Sequence, residues 1–163
     1  MSQLAELNFG TLLHDWEDPR VADFVNGLDL VKSAAARSPG FVWRMSDDEM
    51  GAAQTDPEGP FGDNPRIAAT LSVWEDAQSL ENFVWNTVHR QYYERRAEWY
   101  AALGNSHLVM WWVPEGHKPS VAEGMYRFRH LETQGDSDEA FGWKWLKEAQ
   151  LWQTRSCSHV AAE

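Results

Sequence analysis

The alternation of apolar and polar residues in two stretches, residues 4–13 and 67–74, constrains the fold of this chain most. A period of two is typical of a strand that buries one face. Two shorter apolar runs, residues 41–45 and 107–113, predict two further strands. Apolar residues at helical spacing occupy the segments between the strands. The chain is therefore expected to fold in the order β-α-β-loop-β-α-α-β-α.

Capping residues mark the ends of the predicted helices. Asp18, which precedes a proline, predicts the start of the first helix, and a Ser-Pro-Gly stop that ends at Gly40 follows it. Ser79 is the expected N-cap of the second helix. Ser120 opens a capping box, and Gly135 is the expected C-terminal stop of the last helix before the tail.

Two segments between the strands are less regular. Residues 46–66 are rich in proline, glycine and acidic residues, and they predict a long loop that is either a surface loop or a lid. A change of the apolar stripe at His89 predicts a bend or a second helix, which ends at Gly104-Asn105.

This order of elements predicts an α+β fold. Two β-α-β halves that share a four-stranded antiparallel sheet resemble the ferredoxin-like arrangement. Helices on one face of such a sheet leave the other face bare, and a bare apolar face must find a partner. We therefore expect a homodimer in which two sheets close into a barrel. Association through the Trp-rich tail would also satisfy that face.

The chain has 163 residues, which is the size of one domain. We divide it into a barrel domain over residues 1–142 and a Trp-rich extension over residues 143–163. The tail keeps the spacing of a helix face in four residues, which are Phe141, Trp145, Ala149 and Trp152.

The charge balance excludes some partners. Lysine and arginine total 14 against 25 aspartate and glutamate residues, so the formal net charge is -11. Nucleic acids and anionic membranes attract basic proteins, and neither is an expected partner here. The lone Cys157 cannot form an internal disulfide, and Met1–Gly10 lacks the basic start of a signal peptide. We therefore expect a cytoplasmic protein.

Ten tryptophans are the unusual feature of the composition. Trp is a bulky side chain whose indole N–H needs a partner when it is buried. Two interpretations stay open, which are a pocket for a flat apolar molecule and bulky packing beneath an amphipathic surface.

Three parts of the sequence resemble a known family. They are residues 38–44, residues 72–75 with 89–99, and the motif Trp-Trp-Val-Pro-x-Gly-His-x-Pro at residues 111–119. Together they resemble an uncharacterised bacterial family of the dimeric α/β-barrel superfamily, which is related to antibiotic-biosynthesis monooxygenases. The resemblance covers about residues 3–142. It implies the barrel fold more strongly than any one reaction.

In that fold the sheet face away from the helices lines a cavity. The apolar positions of the alternating strands belong on the helix side, so the polar positions would face the cavity. Arg44 joins them because a charge cannot easily lie under a helix. A mixed polar and aromatic lining suits a planar molecule with a few oxygens. The alternative is a hydrated interface without a ligand. The expected substrate-binding residues are Asn8, Arg44, Thr70, Ser72, Trp74 and Trp112.

Histidines are the candidate proton-transfer groups. His89 would act as a general base on an acidic phenol or enol, because its pKa is ordinarily near neutrality. Its alternative role is packing or capping. His117 would be a proton shuttle or a haem ligand, or would only bond the backbone of its turn. His107 is a third histidine that haem could use. No metal site is expected, since the chain has no Cys pair and no His pair at ligand spacing.

These observations predict a small-molecule enzyme of secondary metabolism. It would oxygenate, cyclise or rearrange an aromatic or polyketide-like substrate without a cofactor. The alternatives are a haem-binding protein and a small-molecule binding module without turnover.

Overall fold

A four-stranded antiparallel sheet with strand order β2-β3-β1-β4 organises the computed structural model. The structure describes residues 1–101 and 107–147. The strands are β1 (Ser2–Thr11), β2 (Phe41–Arg44), β3 (Ile67–Trp74) and β4 (Leu108–Pro114). The helices are α1 (Ala22–Arg37), α2 (Asp47–Thr55), α3 (Ala77–Asn86), α4 (His89–Glu94) and α5 (Val121–Gln134). The α+β class and the four-stranded antiparallel sheet are as predicted from the sequence.

Most element boundaries follow the local signals. The third strand has the predicted bounds. The Asp18 carboxylate caps a short 3-10 turn that leads into α1, and Gly135 ends α5 at a φ of 78°, where glycine is favoured. The change of stripe at His89 is a break between two helices, α3 and α4. The predicted end at Gly104-Asn105 lies outside the described residues.

Two predictions of local structure were wrong. Residues 46–66 are not loop throughout, because α2 begins in them with a full capping box between Ser46 and Glu49. The N-cap of the second helix, α3, is Asp76 and not Ser79, because the Asp76 carboxylate accepts the Ser79 backbone N–H at 2.8 Å. In both places an ordinary N-cap was present in the sequence.

Helices cover both faces of the sheet. On the first face, the apolar side chains of β1, β3 and β4 pack against α2 and α5, through residues such as Met50 and Val121. On the second face, Leu4, Trp74 and Met110 pack against α1 and α3. The expectation of helices on one face only was therefore wrong. The argument for a homodimer also changes, because it relied on a bare sheet face.

The C-terminal segment also packs on the second face. Met110 and Phe141 exchange two backbone hydrogen bonds of 2.9 Å each, and residues 143–147 are helical. Trp145 stacks on Phe141 at 4.7 Å, and Leu146 is buried in the core. The described part of the predicted extension is thus continuous with the core of the domain. Ala149, Trp152 and Cys157 lie outside the described residues.

Among the tryptophans of residues 1–101 and 107–147, Trp74, Trp99 and Trp111 are almost completely buried. They fill the core, which is the packing interpretation of the Trp excess. In residues 1–101 and 107–147, no helix is both long and apolar enough to cross a membrane.

Candidate functional site

Four polar side chains lie together on the second face of the sheet. Glu6 and Asn8 occupy alternate positions of β1, and they stand directly opposite Ser72 and Thr70 of β3. Alternate residues of a strand point to the same face, and directly opposed residues of an antiparallel pair share a face. We call Glu6, Asn8, Thr70 and Ser72 the polar strip.

The polar strip is open to solvent in its middle and covered at both ends. Asn8 and Thr70 are exposed. One row beyond them the Tyr100 ring lies against Gly10, so closely that a Cβ at Gly10 would come within 2.6 Å of it. At the other end Phe83 stacks on Trp74 at 5.1 Å. The exposed middle of the strip thus lies between two aromatic covers, and we call this open stretch the cleft, with the strip as its floor.

Glu6 is the buried charged group of this floor, with 7% of its surface exposed. Burial in an apolar environment disfavours the carboxylate and raises the pKa of Glu6 to about 7, although the Ser72 hydroxyl opposes this shift. A pKa near neutrality suits a group that takes and returns a proton at physiological pH.

A directional pair of hydrogen bonds holds Glu6. The Trp74 indole N–H donates to Ser72 Oγ at 3.0 Å, and the Ser72 hydroxyl donates to Glu6 Oε2 at 3.1 Å. An indole N–H only donates, so the Ser72 oxygen accepts and its proton is directed to Glu6. Within residues 1–101 and 107–147, the other carboxyl oxygen, Oε1, has no hydrogen-bond partner.

His89 lies at the start of α4, beside the cover over Trp74. Its Nδ1 is 3.3 Å from the Val84 carbonyl oxygen, and its ring centroid is 4.9 Å from that of Phe83. A carbonyl oxygen only accepts, so Nδ1 carries a proton and Nε2 is the basic nitrogen of the neutral ring. Burial lowers the pKa of His89. No hydrogen bond among the described residues joins His89 to the polar strip.

Arg44 stands opposite Ser72 in the strand register but is held away from the strip. Its guanidinium donates to Asp47 Oδ1 at 2.8 Å, and Lys32 contacts the same oxygen at 2.8 Å. Arg44 and Lys32 line a surface depression beside α1, at the edge strand of the sheet. The structure therefore does not bring Arg44 together with the other predicted binding residues.

The two predicted aromatic walls have different environments. Trp74 is 1% exposed and lies in the core, so its ring is not an open stacking surface. Trp112 stands opposite Leu4, one row beyond Glu6, and is 39% exposed. Its ring packs against Phe141 at 5.8 Å, which places it with the C-terminal segment and not over the polar strip.

His117 lies on the other side of the molecule. Its Nε2 is 2.8 Å from Glu123 Oε2, and Glu123 Oε1 accepts the indole N–H of buried Trp111 at 2.9 Å. The His117 backbone N–H also bonds Pro114 within its turn. His107 packs edge-on against Phe9. The three histidines considered for haem are thus separate, and haem binding stays a prediction. In the described ranges no three His, Cys, Asp or Glu side chains form a metal-binding group.

Sequence reasoning missed Glu6 as a site residue. The predicted site contained Asn8 of β1 but not Glu6, which lies two residues before it. The available signal was an acidic residue between Ala5 and Leu7 in an apolar part of the strand.

The fold and these contacts can now be compared with known proteins. A family described as "Domain of unknown function (DUF3291)" matches residues 3–157, and the chain belongs to this family. The match extends across the proposed boundary between residues 142 and 143. No curated protein matches the chain.

One solved structure is similar, that of a protein of unknown function from Nitrosomonas europaea. It is 10% identical, the match covers 74% of this chain and 97% of that chain, and the TM-score is 0.47. Membership of a family without an assigned function agrees with the sequence prediction. The link to antibiotic-biosynthesis monooxygenases stays a prediction.

Proposed function

We propose that this protein is a small-molecule enzyme of secondary metabolism that removes a proton from a planar aromatic or polyketide-like substrate. The substrate would lie over the polar strip. The observation that carries this proposal is the Glu6 carboxyl, which is buried beside the exposed Asn8 and Thr70 and whose Oε1 has no hydrogen-bond partner in residues 1–101 and 107–147.

The chemistry follows from the groups on the floor. A carboxyl with a pKa of about 7 is a suitable general base at neutral pH. The Asn8 amide and the Thr70 hydroxyl are exposed beside it and can donate to the oxygen on which the anion forms. An electron-rich anion of this kind can reduce O₂, or can rearrange or cyclise.

Two bases compete in this proposal. His89, predicted from the sequence, keeps a basic Nε2, whereas Glu6 belongs to the strip itself. We therefore assign the proton transfer to Glu6. His89 instead packs against Phe83 and so supports the aromatic cover over Trp74.

The test is a comparison of Glu6→Gln with His89→Ala on a panel of polycyclic phenols and their keto tautomers. Oxygen uptake reports oxygenation, and mass spectrometry of the products reports oxygenation or rearrangement. We expect turnover with at least one compound, a loss of about 100-fold in Glu6→Gln, and a smaller loss in His89→Ala. Loss in His89→Ala alone would return the role of base to His89. Absence of turnover with the whole panel would favour the binding module.

The finer description of the fold is part of the same proposal. We propose that the chain is a member of the dimeric α/β-barrel superfamily, which the strand order β2-β3-β1-β4 supports, and that it forms a homodimer. Light scattering tests this state, and a monomer would contradict it. A visible absorption spectrum after titration with haem tests the haem alternative, since an intense new band would support it.

A further inference from the structure

The charge of the cleft floor restricts what can bind there. Two apolar residues are neighbours of Glu6 on the same face of the sheet, and both are buried. Leu4 precedes Glu6 by two positions on β1, and Met110 stands opposite Glu6 on β4. The cation nearest in register, Arg44, is held by Asp47. Glu6 therefore has apolar neighbours along β1 and on β4 and polar neighbours within the strip, and Arg44, the charged residue nearest in the register, is already bonded to Asp47. A second negative charge placed here would stand beside the Glu6 carboxylate without a free cation of the register to compensate it.

The hydrogen-bonding capacity of the floor is mixed. The Asn8 amide can donate two bonds and accept at its oxygen, and the Thr70 hydroxyl can do both. Neither side chain has a hydrogen-bond partner within the described ranges. Glu6 Oε1 is an acceptor when ionised and a donor when protonated. Such a floor matches a ligand that carries both an O–H or N–H group and a carbonyl oxygen.

We infer that the cleft selects an uncharged planar molecule with both hydrogen-bond donors and acceptors, such as a phenol or an enolisable ketone, and rejects carboxylates and phosphates. This inference rests on the proposed function, since it names the substrate class of the same site. It also reassigns Arg44, which is not the receptor for a substrate carboxylate.

The selection agrees with proton transfer. A neutral phenol or enol brings the proton that Glu6 removes, whereas a carboxylate arrives with a charge beside the ionised base. The Trp74–Ser72–Glu6 hydrogen bonds occupy Oε2 and leave Oε1 without a partner among the described residues, so we assign the contact with the ligand to Oε1. Discrimination by charge is therefore a property of Glu6, and a neutral residue of the same shape should weaken it.

Isothermal titration calorimetry of the full chain with 2-naphthol and 2-naphthoate at pH 7 tests the inference. The two probes share their rings. At pH 7 the phenol is neutral because the pKa of a phenol is about 10, and the acid is ionised because the pKa of a carboxyl is about 4. We expect 2-naphthol to bind roughly tenfold or more tightly than 2-naphthoate. We expect Glu6→Gln to reduce this difference by improving the binding of 2-naphthoate.

Asn8→Trp fills the open middle of the strip and should abolish the binding of 2-naphthol. Asn26→Trp, at an exposed position of α1, is the matched control and should leave it unchanged. Equal or tighter binding of 2-naphthoate, lost in Asn8→Trp, would overturn the neutral-ligand inference and leave the proposed cleft intact. Binding of neither probe, or binding that Asn8→Trp does not affect, would overturn the cleft and with it the proposed function. An unchanged preference in Glu6→Gln would remove Glu6 as its source.

Discussion

The two faces of the sheet each carry a tryptophan whose indole N–H leads to a glutamate, but the two arrangements differ. On the first face, Glu123 accepts from Trp111 through one oxygen and contacts His117 through the other, so both carboxyl oxygens have partners. On the second face, the Ser72 hydroxyl stands between Trp74 and Glu6, and within the described part of the chain one Glu6 oxygen has a partner and the other has none.

This difference separates a structural cluster from a reactive one. The Glu123 carboxylate, with two partners and partial exposure, satisfies a buried indole and holds a histidine. The Glu6 carboxyl is buried, has a raised pKa and keeps one oxygen without a partner among the described residues. The contrast predicts that substitutions on the two faces will have different pH dependence and different cost.

The largest expected effect concerns Glu6. Its folded pKa of about 7 lies above the usual value of 4.5, so the folded state binds the proton more tightly than the unfolded state. Stability should therefore fall as the pH rises from about 4.5 to about 7 and then level off. Glu6→Gln should remove this fall and should be more stable than the wild type at pH 8 by up to roughly 3 kcal/mol. Urea unfolding of the wild type and of Glu6→Gln at pH 4 and pH 8 measures their free energies of unfolding. An equal change with pH in the two proteins would contradict the burial argument.

A smaller effect is expected where α5 lies closest to the first face. A Cβ at Gly124 would come within 2.8 Å of the Leu7 side chain and 3.3 Å of Trp111. Gly124→Ala should destabilise the protein by about 1–3 kcal/mol through overpacking. Gly51 of α2 has open space around it, and Gly51→Ala should instead stabilise by about 0.5–1 kcal/mol. Thermal unfolding measures the midpoint temperatures of both variants, which should shift in opposite directions. A shift in the same direction would indicate that the first face is loosely packed.

Loss of the Glu123 carboxylate should cost about 1–2 kcal/mol, because the indole of Trp111 then loses its partner. Glu123→Ala tests this expectation, with Glu123→Gln as the control that retains an acceptor oxygen. We expect the alanine variant to unfold at lower urea concentration than the glutamine variant. Identical midpoints would show that water replaces the carboxylate at the indole.

The smallest effect is expected in the open part of the polar strip. Asn8→Ala and Thr70→Ala remove exposed side chains without protein partners in the described ranges, so each should change stability by no more than about 0.5 kcal/mol. Both should nevertheless weaken the binding of 2-naphthol. A large loss of stability in either variant would indicate that these side chains are structural, as those of the first face are.

Much of the fold was accessible from the chain alone. The alternation in β1 and β3 identified which residues share a face, and it predicted that Asn8, Thr70 and Ser72 lie together. The register also places Arg44 opposite Ser72, but its guanidinium bonds Asp47, and periodicity does not predict that contact. The prediction failed at α2, where composition suggested a loop although Ser46 and Glu49 form a capping box.

The sequence by itself determined the strands, their faces and most helix ends, because each depends on residues a few positions apart. Only the tertiary structure decided that both faces are covered, since the return of α5 to the first face depends on packing between distant segments. It also decided that Glu6, and not Asn8, is the buried group of the strip. Periodicity places the two on the same face, but burial, and with it the raised pKa, depends on what the rest of the chain packs above each residue.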